Sequence, residues 1–236
     1  MGKIAFVFSG QGDQHPGMGR EWCERYPAAA AVFSMCDRVR PGTSAQCFEG
    51  TEEELKDTKN TQPCLFAVEL AAASVLLEKG IVPDAAAGFS LGEVAAAAVS
   101  GILDRETAFR LVCRRGELMQ REAEKFYTAM AAVVKLGPEQ VQDICARHTG
   151  VYPVNFNCPG QITVSGLASQ MADFSADVKT ADGMGLVTAK LRETTTHVIS
   201  MSVLILDLRK NQCAFWHLLM YLLAILPPKK KLAIVQ

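Results

Sequence analysis

The chain has 236 residues, of which 49% are hydrophobic, and its formal net charge at pH 7 is −1. This length suits one sizeable core, or a core with a small subdomain. A charge so close to zero gives no basis for nucleic-acid binding, which needs a strongly basic surface. None of the eight cysteines forms a C-x-x-C pair or has metal-ligand spacing to a histidine. We therefore expect reduced thiols, a cytoplasmic location, no metal and no cofactor.

The N-terminal run 3–8 is apolar and rich in β formers, and it is too short for a signal peptide. It predicts a buried first strand of an α/β sheet. The strand leads into a glycine-rich loop, 9–14, and loops at the carboxyl ends of parallel strands are where such folds bind ligands. Gly10 and Gly12 would let a backbone amide approach a ligand closely. No Gly-Lys-Ser/Thr follows, so this is not a phosphate loop.

The next segments read as helices. Apolar residues at helical spacing predict a helix over 20–39, before Pro41-Gly42. Thr51 is typical of an N-cap for a short helix over 51–57. We expect a loop over 58–63, followed by a long, largely buried helix over 64–79 that Gly80 ends.

The stretch 84–100 carries the strongest local signal. Gly88-Phe89-Ser90-Leu91-Gly92 fits G-x-S-x-G, with small residues before it and an alanine-rich segment after it. This order of strand, sharp turn and helix predicts a nucleophile elbow with Ser90 in a strained backbone conformation. The first N–H groups of the helix, led by Leu91, could stabilise an oxyanion. The same five-residue pattern also occurs by chance in glycine-rich turns.

A helix is predicted over 104–124, with Asp104 as its N-cap and Arg114 and Arg115 in its middle. A helical arginine is usually solvated or paired at the surface. Beyond it the order β-α-β-β-α-β is the ferredoxin-like unit. We therefore expect a subdomain over 126–192, inserted into a larger α/β core of 1–125 and 193–236. Its predicted strands cover 128–136, 151–157, 161–166 and 184–191, and its predicted helices cover 137–148 and 168–182.

The tail is less regular. Residues 213–226 form a dense apolar run that is too short to span a bilayer. It suits a packed helix, or a tail foreign to the fold, better than a helix lying on a membrane surface, so we expect no membrane.

Six motifs together resemble those of the malonyl-CoA:acyl-carrier-protein transacylase family of type II fatty-acid synthesis. The chain is similar, more distantly, to the acyltransferase domains of polyketide synthases. The likeness covers about residues 3–190, and the six motifs appear in the family's order. They are Gly10-Gln11-Gly12-x-Gln14, Thr61-Gln62-Pro63, Gly88-x-Ser90-Leu91-Gly92-Glu93, Arg115-Gly116-x-x-Met119-Gln120, 129–133 and Asn155-Phe156-Asn157-x-Pro159-Gly160-Gln161.

The resemblance implies an α/β-hydrolase-like core with a parallel sheet and an inserted ferredoxin-like subdomain, acting as a monomer on malonyl-CoA and acyl carrier protein. Ser90 would attack the malonyl thioester, and the phosphopantetheine thiol of the carrier would take the acyl group. A histidine would serve as general base and then general acid. The nearest candidate by spacing is His197, although its neighbours differ from the family's pattern.

The resemblance also implies substrate-binding roles. The backbone amides of Gln11 and Leu91 would form the oxyanion hole. Arg115 would bind the malonyl carboxylate, because a planar guanidinium matches a carboxylate. Met130 would line the acyl pocket, and Asn157 would lie near the catalytic histidine.

This chain departs from the family pattern at several positions. Phe89 replaces the usual histidine and Ser9 the usual proline. Past about residue 190 the family's supporting glutamine and Gly-Pro-Gly turn have no counterpart, which predicts a truncated or altered C-terminal part. A serine esterase, a polyketide-type acyltransferase and a catalytically impaired fragment therefore stay open as alternatives.

Overall fold

The computed structural model describes residues 3–125, 127–181, 183–186, 204–207 and 212–213. The described chain contains both helices and strands, so the predicted α/β class is confirmed. The elements in chain order are β1 (Ala5–Phe8), α1 (Arg20–Arg25), α2 (Pro27–Val39), α3 (Thr43–Glu49), α4 (Glu52–Lys56), α5 (Thr58–Glu78), β2 (Ala85–Gly88), α6 (Gly92–Val99), α7 (Arg105–Ala123), β3 (Thr128–Val134), α8 (Pro138–Cys145), β4 (Val151–Cys158), β5 (Gln161–Leu167), α9 (Ala168–Thr180), β6 (Met184–Leu186), β7 (Leu204–Asp207) and β8 (Gln212–Cys213).

The described residues divide into two compact units. The first unit takes in those of 1–55, 62–115 and 203–236, and the second unit takes in those of 56–61 and 116–202. The limits of 126 and 192 for an inserted subdomain stay predictions.

The sheet of the first unit has the strand order β1-β2-β7-β8. β1 and β2 pair in parallel, with Phe6 opposite Ala86, whereas β7 runs antiparallel to β2. The expected parallel sheet is therefore mixed in the described part of the chain. β7 and β8 are separated by only a few residues, and so short a connection permits only antiparallel pairing. Residues 198–208 lack clear turn chemistry, so β7 was not predicted.

β1 is buried on one face only. Phe6 and Phe8 are buried, while Val7 is 77% exposed. The expectation of a strand buried on both faces was wrong, because an unbroken apolar run does not reveal which face a neighbouring element covers.

Two helix boundaries differ from prediction, and both involve proline. The predicted helix over 20–39 is two helices, because Tyr26 is extended (φ −127°) and Pro27 starts α2. The predicted loop over 58–63 is the first turn and a half of α5. The carbonyl of Asp57 accepts the N–H groups of Asn60 and Thr61, so a helical turn forms ahead of Pro63.

Other helix ends follow the sequence signals. Thr51 and Glu54 form a capping box, in which the Thr51 Oγ1 accepts the Glu54 N–H and the Glu54 carboxylate accepts the Thr51 N–H. Gly80 (φ +77°) ends α5 in a Schellman motif, because its N–H donates to Leu77 and that of Ile81 donates to Leu76. Asp104 caps α7 through the N–H of Thr107, at 2.9 Å.

α5 is the one helix among the described residues that is long and apolar enough to cross a membrane. Of its most apolar window, 67% is buried inside the protein. A core helix passes the same test, and the Phe66 ring of α5 packs 6.0 Å from the Phe109 ring of α7 within the first unit's apolar core. This core holds α5, α6 and the start of α7 firmly in place.

The second unit contains β3-α8-β4-β5-α9-β6, with the sheet order β4-β5-β3-β6 and antiparallel pairing throughout. Gly160 (φ +81°) turns the chain between β4 and β5, as Cys158-Pro159-Gly160 predicts. The sheet packs on α8 and α9 through side chains such as Val133, Ile144 and Phe174. The apolar run predicted as a helix over 213–226 lies outside the described residues except for residue 213, which ends β8.

Candidate active site

Ser90 lies on a sharp turn between β2 and α6. Its φ of +57° is in the left-handed region, which costs a non-glycine residue about 1–2 kcal/mol. The turn is also tightly packed. A Cβ atom at Gly88 would lie 2.1 Å from the carbonyl carbon of Gly92, and one at Gly92 would lie 2.4 Å from the carbonyl oxygen of Phe8. The backbone is therefore that of a nucleophile elbow, and both glycines are needed for the close approach of strand and helix.

The spacing Ser90-x-x-Glu93 matches a capping box. The Glu93 N–H donates to the Ser90 carbonyl at 3.2 Å, and the Ser90 backbone amide lowers the pKa of the Glu93 carboxyl. The Ser90 hydroxyl accepts a hydrogen bond from Nη2 of Arg115 at 3.2 Å. The left-handed backbone thus directs the hydroxyl towards a cation.

Arg115 is 4% exposed and projects from α7. Its Nη1 donates to Oε1 of Gln62 at 2.5 Å, and Gln62, on α5, is itself fully buried. The neighbouring Arg114 is exposed. Burying a guanidinium is costly unless hydrogen bonds compensate. The hydrogen bonds to Gln62 and Ser90 supply part of this compensation. Its fork is a suitable binding partner for a carboxylate.

Glu93 adds a second unusual charge. Burial raises the pKa of its carboxyl to about 7, although the nearby Arg115 and the Ser90 amide both lower it. Its Oε1 is buried and has no hydrogen-bond partner among the described residues. The elbow therefore contains a carboxyl group that changes charge near neutral pH.

The predicted oxyanion donors lie in the same unit. Leu91 is fully buried, and no described residue accepts a hydrogen bond from its N–H. Gln11 follows β1 in the loop whose Gly12 N–H donates to the Gln14 side chain at 2.8 Å. The Phe8 carbonyl accepts the Phe89 N–H at 3.1 Å, which ties the end of β1 to the elbow. The oxyanion roles of Leu91 and Gln11 stay predictions.

Phe89 occupies the position between the elbow glycine and serine, and its side chain is 40% exposed. Its ring lies against Gly10, where a Cβ atom would come within 2.7 Å of Cδ1. Gly10 is therefore needed to let the loop that carries Gln11 pass under the aromatic ring.

The other predicted site residues lie in the second unit or outside the described residues. Met130, half-buried on β3, and Asn157, whose Nδ2 donates to Thr163 Oγ1 at 2.9 Å, belong to the second unit. His197 lies outside the described residues. Of the described histidines, His15 is an exposed loop residue, and His148 bonds Asp177 in the second unit.

Three polar residues of the first unit were missed as site residues by sequence reasoning. Gln62 lies in a recognised motif, but nothing in the motif shows that it holds Arg115. Glu93 could have been found from the S-x-x-E spacing, since that pattern predicts a carboxylate on the serine amide. Glu69 was detectable only as an acid within an otherwise apolar helix.

The chain is similar to known proteins in both sequence and structure. Residues 5–205 match the acyl transferase domain family, so the chain belongs to that family. It is 40% identical over 173 residues to the malonyl CoA-acyl carrier protein transacylase of Bacillus subtilis, covering 71% of this chain and 55% of that protein. The chain thus spans about half the length of this curated relative.

Solved structures give the same result. The malonyl CoA-acyl carrier protein transacylase of Clostridium perfringens superposes with a TM-score of 0.76 at 30% identity, over 84% of this chain and 64% of that one. A malonyl-transacylase in complex with a type II polyketide acyl-carrier protein superposes with a TM-score of 0.72 at 35% identity, over 80% and 63%.

Proposed function

We propose that this chain transfers a malonyl group from malonyl-CoA to the phosphopantetheine thiol of an acyl carrier protein, in fatty-acid synthesis, through an ester on Ser90. The buried Arg115, with one guanidinium nitrogen at the Ser90 hydroxyl and the other on Gln62, carries the proposal. A simple hydrolase has no need of a buried cation beside its nucleophile, whereas a malonyl thioester carries a carboxylate that requires one. The names of the relatives support the same substrate and carrier.

In the first half-reaction the Ser90 oxygen attacks the thioester carbonyl, the serine proton passes to the general base, and the amides of Leu91 and Gln11 hold the oxyanion. The carbon–sulfur bond then breaks, and CoA leaves with the proton. In the second half the carrier thiol attacks the ester, and the oxygen of Ser90 takes the proton back. Arg115 holds the malonyl carboxylate throughout. His197 is the base in this proposal.

The remaining assignments belong to the same proposal. Met130 lines the acyl pocket, and Asn157 lies near the histidine. The strand and sheet order of the second unit supports a ferredoxin-like subdomain set into an α/β-hydrolase-like core. We further propose a cytoplasmic monomer that binds neither nucleic acid nor membrane. The free thiols of the seven cysteines whose side chains are described support the location.

Three alternatives compete with this function. A polyketide-type acyltransferase is favoured by the similarity to the transacylase bound to a polyketide carrier. A serine esterase is allowed by G-x-S-x-G alone. A catalytically impaired fragment stays open because the neighbours of His197 differ from the family's pattern.

Labelled malonyl-CoA tests these readings in two stages. Intact-mass analysis should show a malonyl adduct, mapped by peptide digestion to Ser90 and missing in Ser90→Ala. Added holo carrier protein should then remove the label and carry it. Fast hydrolysis of p-nitrophenyl esters without carrier acylation would favour the esterase. A stable adduct without transfer would favour the impaired fragment. His197→Ala should slow adduct formation, while His15→Ala should not.

A further inference from the structure

Glu69 is a buried carboxyl group that the proposed reaction does not use. It is 8% exposed and lies on α5, between apolar residues of the first unit's core. Its Oε1 accepts the Ser9 hydroxyl at 3.2 Å. Its Oε2 is buried without a partner among the described residues. A buried carboxyl oxygen without a partner lowers the stability of the fold, so its presence in the core needs a structural or functional explanation.

Ser9 connects this carboxyl group to the elbow. Its carbonyl oxygen lies against Gly92, where a Cβ atom would come within 2.6 Å of it. The next residue, Gly10, passes under the Phe89 ring, and Gln11 follows directly. The hydroxyl that Ser9 directs at Glu69 is a group that proline lacks. The carboxyl group therefore anchors the first residue of the loop that presents the Gln11 amide.

We propose that Glu69 is a positioning residue for the reaction: through its hydrogen bond with the Ser9 hydroxyl it fixes the loop that places the Gln11 amide at the oxyanion. This inference rests on the proposed function. A loop fixed in advance lowers the barrier of the chemical step without tightening substrate binding, so the effect belongs in kcat rather than in KM.

The charge state of Glu69 gives the role a pH dependence. Burial raises the pKa of its carboxyl group from 4.5 to about 8, and Asp13, on the same loop, raises it further, while Ser9 lowers it. Among the described residues Asp13 is the charged group that acts on it. At neutral pH the group is mostly uncharged. Its ionisation would put a buried negative charge next to the loop that holds an oxyanion, so kcat should fall as the pH rises through about 8.

Three variants and a control test the proposal through acyl-enzyme formation. Glu69→Ala should lower kcat about 10- to 100-fold and leave KM within about threefold. Ser9→Ala, which removes the hydroxyl donor, should cause a loss of the same order. Glu69→Gln still accepts the Ser9 hydroxyl, so it should keep kcat at neutral pH and lose the alkaline fall. Glu78→Gln, an exposed acid at the end of the same helix, should match wild type. A raised KM with unchanged kcat in Glu69→Ala, or an alkaline fall retained in Glu69→Gln, would overturn the role.

A second measurement needs no activity. In Glu69→Ala the amides of residues 9–14 should exchange with solvent faster than in wild type, while those of β3 serve as an unchanged internal reference. If wild type forms no acyl-serine, the proposed function fails, and the exchange data still decide whether Glu69 holds the loop. Unchanged exchange across 9–14 would rule out the anchoring contact.

Discussion

The two units bury different kinds of polar group. The buried acidic and basic side chains among the described residues, Glu69 and Arg115, both belong to the first unit. The buried polar side chains of the second unit are all hydroxyl groups, which can bond a nearby carbonyl at little cost. They are Thr58, Thr61, Thr128, Ser165 and Ser175.

Among the described residues, each unit has one non-glycine residue with a positive φ. That of Ser90 lies at the tightly packed elbow, whereas that of Lys135 lies at an exposed position after β3. Buried ionisable groups and strain both lower stability, and proteins retain them where function requires them. We therefore expect the reactive groups to lie in the first unit rather than in the described part of the second.

Removing the buried cation should have the largest effect. We expect Arg115→Ala to lower kcat/KM for malonyl transfer on the order of 100-fold or more, because a charged hydrogen-bonded pair with the substrate is lost. Acetyl transfer, which involves no carboxylate, should fall far less. The matched control is Arg114→Ala, an exposed arginine on the same helix, which should leave both rates unchanged. Equal losses for the two acyl groups would remove the assigned role.

A methyl group at the elbow should have the next largest effect, and this effect is on the stability of the fold. We expect Gly92→Ala to lower the free energy of unfolding by about 2–4 kcal/mol, because its Cβ would overlap the carbonyl oxygens of Phe8 and Ser9. Gly137→Ala in the second unit meets only Gln140 Oε1, at 3.6 Å, and should change it by less than about 0.5 kcal/mol. Urea denaturation compares the two. Similar losses would show that the elbow is not specially packed.

The strain at Ser90 should be measurable apart from its chemistry. Ser90→Gly and Ser90→Ala both lack the hydroxyl and should both fail to form the adduct. Only glycine relieves the left-handed backbone, so Ser90→Gly should be more stable than Ser90→Ala by about 1 kcal/mol in thermal or urea unfolding. Equal stabilities would mean that the turn stores no strain.

The smallest effect should come from the second unit. The His148 Nε2 lies 3.1 Å from Asp177 Oδ2, and its ring packs edge-on against Phe174. We expect His148→Gln to lower the free energy of unfolding by about 0.5–1 kcal/mol and to leave acylation within about twofold of wild type. A large loss of acylation at unchanged stability would contradict the view that this unit carries no reactive group in its described part.

Local chemistry made much of this protein predictable. Thr51 and Asp104 cap their helices, Gly80 ends α5, and Gly160 turns a hairpin, because each signal acts within a few residues. The elbow was also predictable. Its close backbone contacts leave no room for a Cβ atom at Gly88 or Gly92, so both positions require glycine.

Other features could not be predicted locally. Pro63 suggested a loop, but the N–H groups that donate to the Asp57 carbonyl form a helical turn ahead of this proline. The apolar run 3–8 suggested a buried strand, but Val7 within it is exposed, because only the packing decides which face of a strand is covered. The antiparallel β7 depends on pairing with a strand more than a hundred residues earlier.

The candidate site shows the same limit. From the sequence alone Arg115 was one of two adjacent arginines in the middle of a predicted helix, with a surface role as the default, and only the family resemblance favoured it. Its position beside Ser90 and Gln62 joins α7, the elbow and α5 across 25 and 53 residues of chain. Glu69 and Ser9 are separated by 60 residues, and nothing near either residue indicates the partner.

The sequence by itself determined most of the elements, the elbow and the identity of the nucleophile candidate, because helix caps and tight turns are set by neighbouring residues. Only the tertiary structure decided which charges are buried and what they face, because burial and pairing depend on elements that come together from distant parts of the chain. For Arg115, Glu93 and Glu69 that environment, rather than the residue type, separates a surface charge from a candidate functional group.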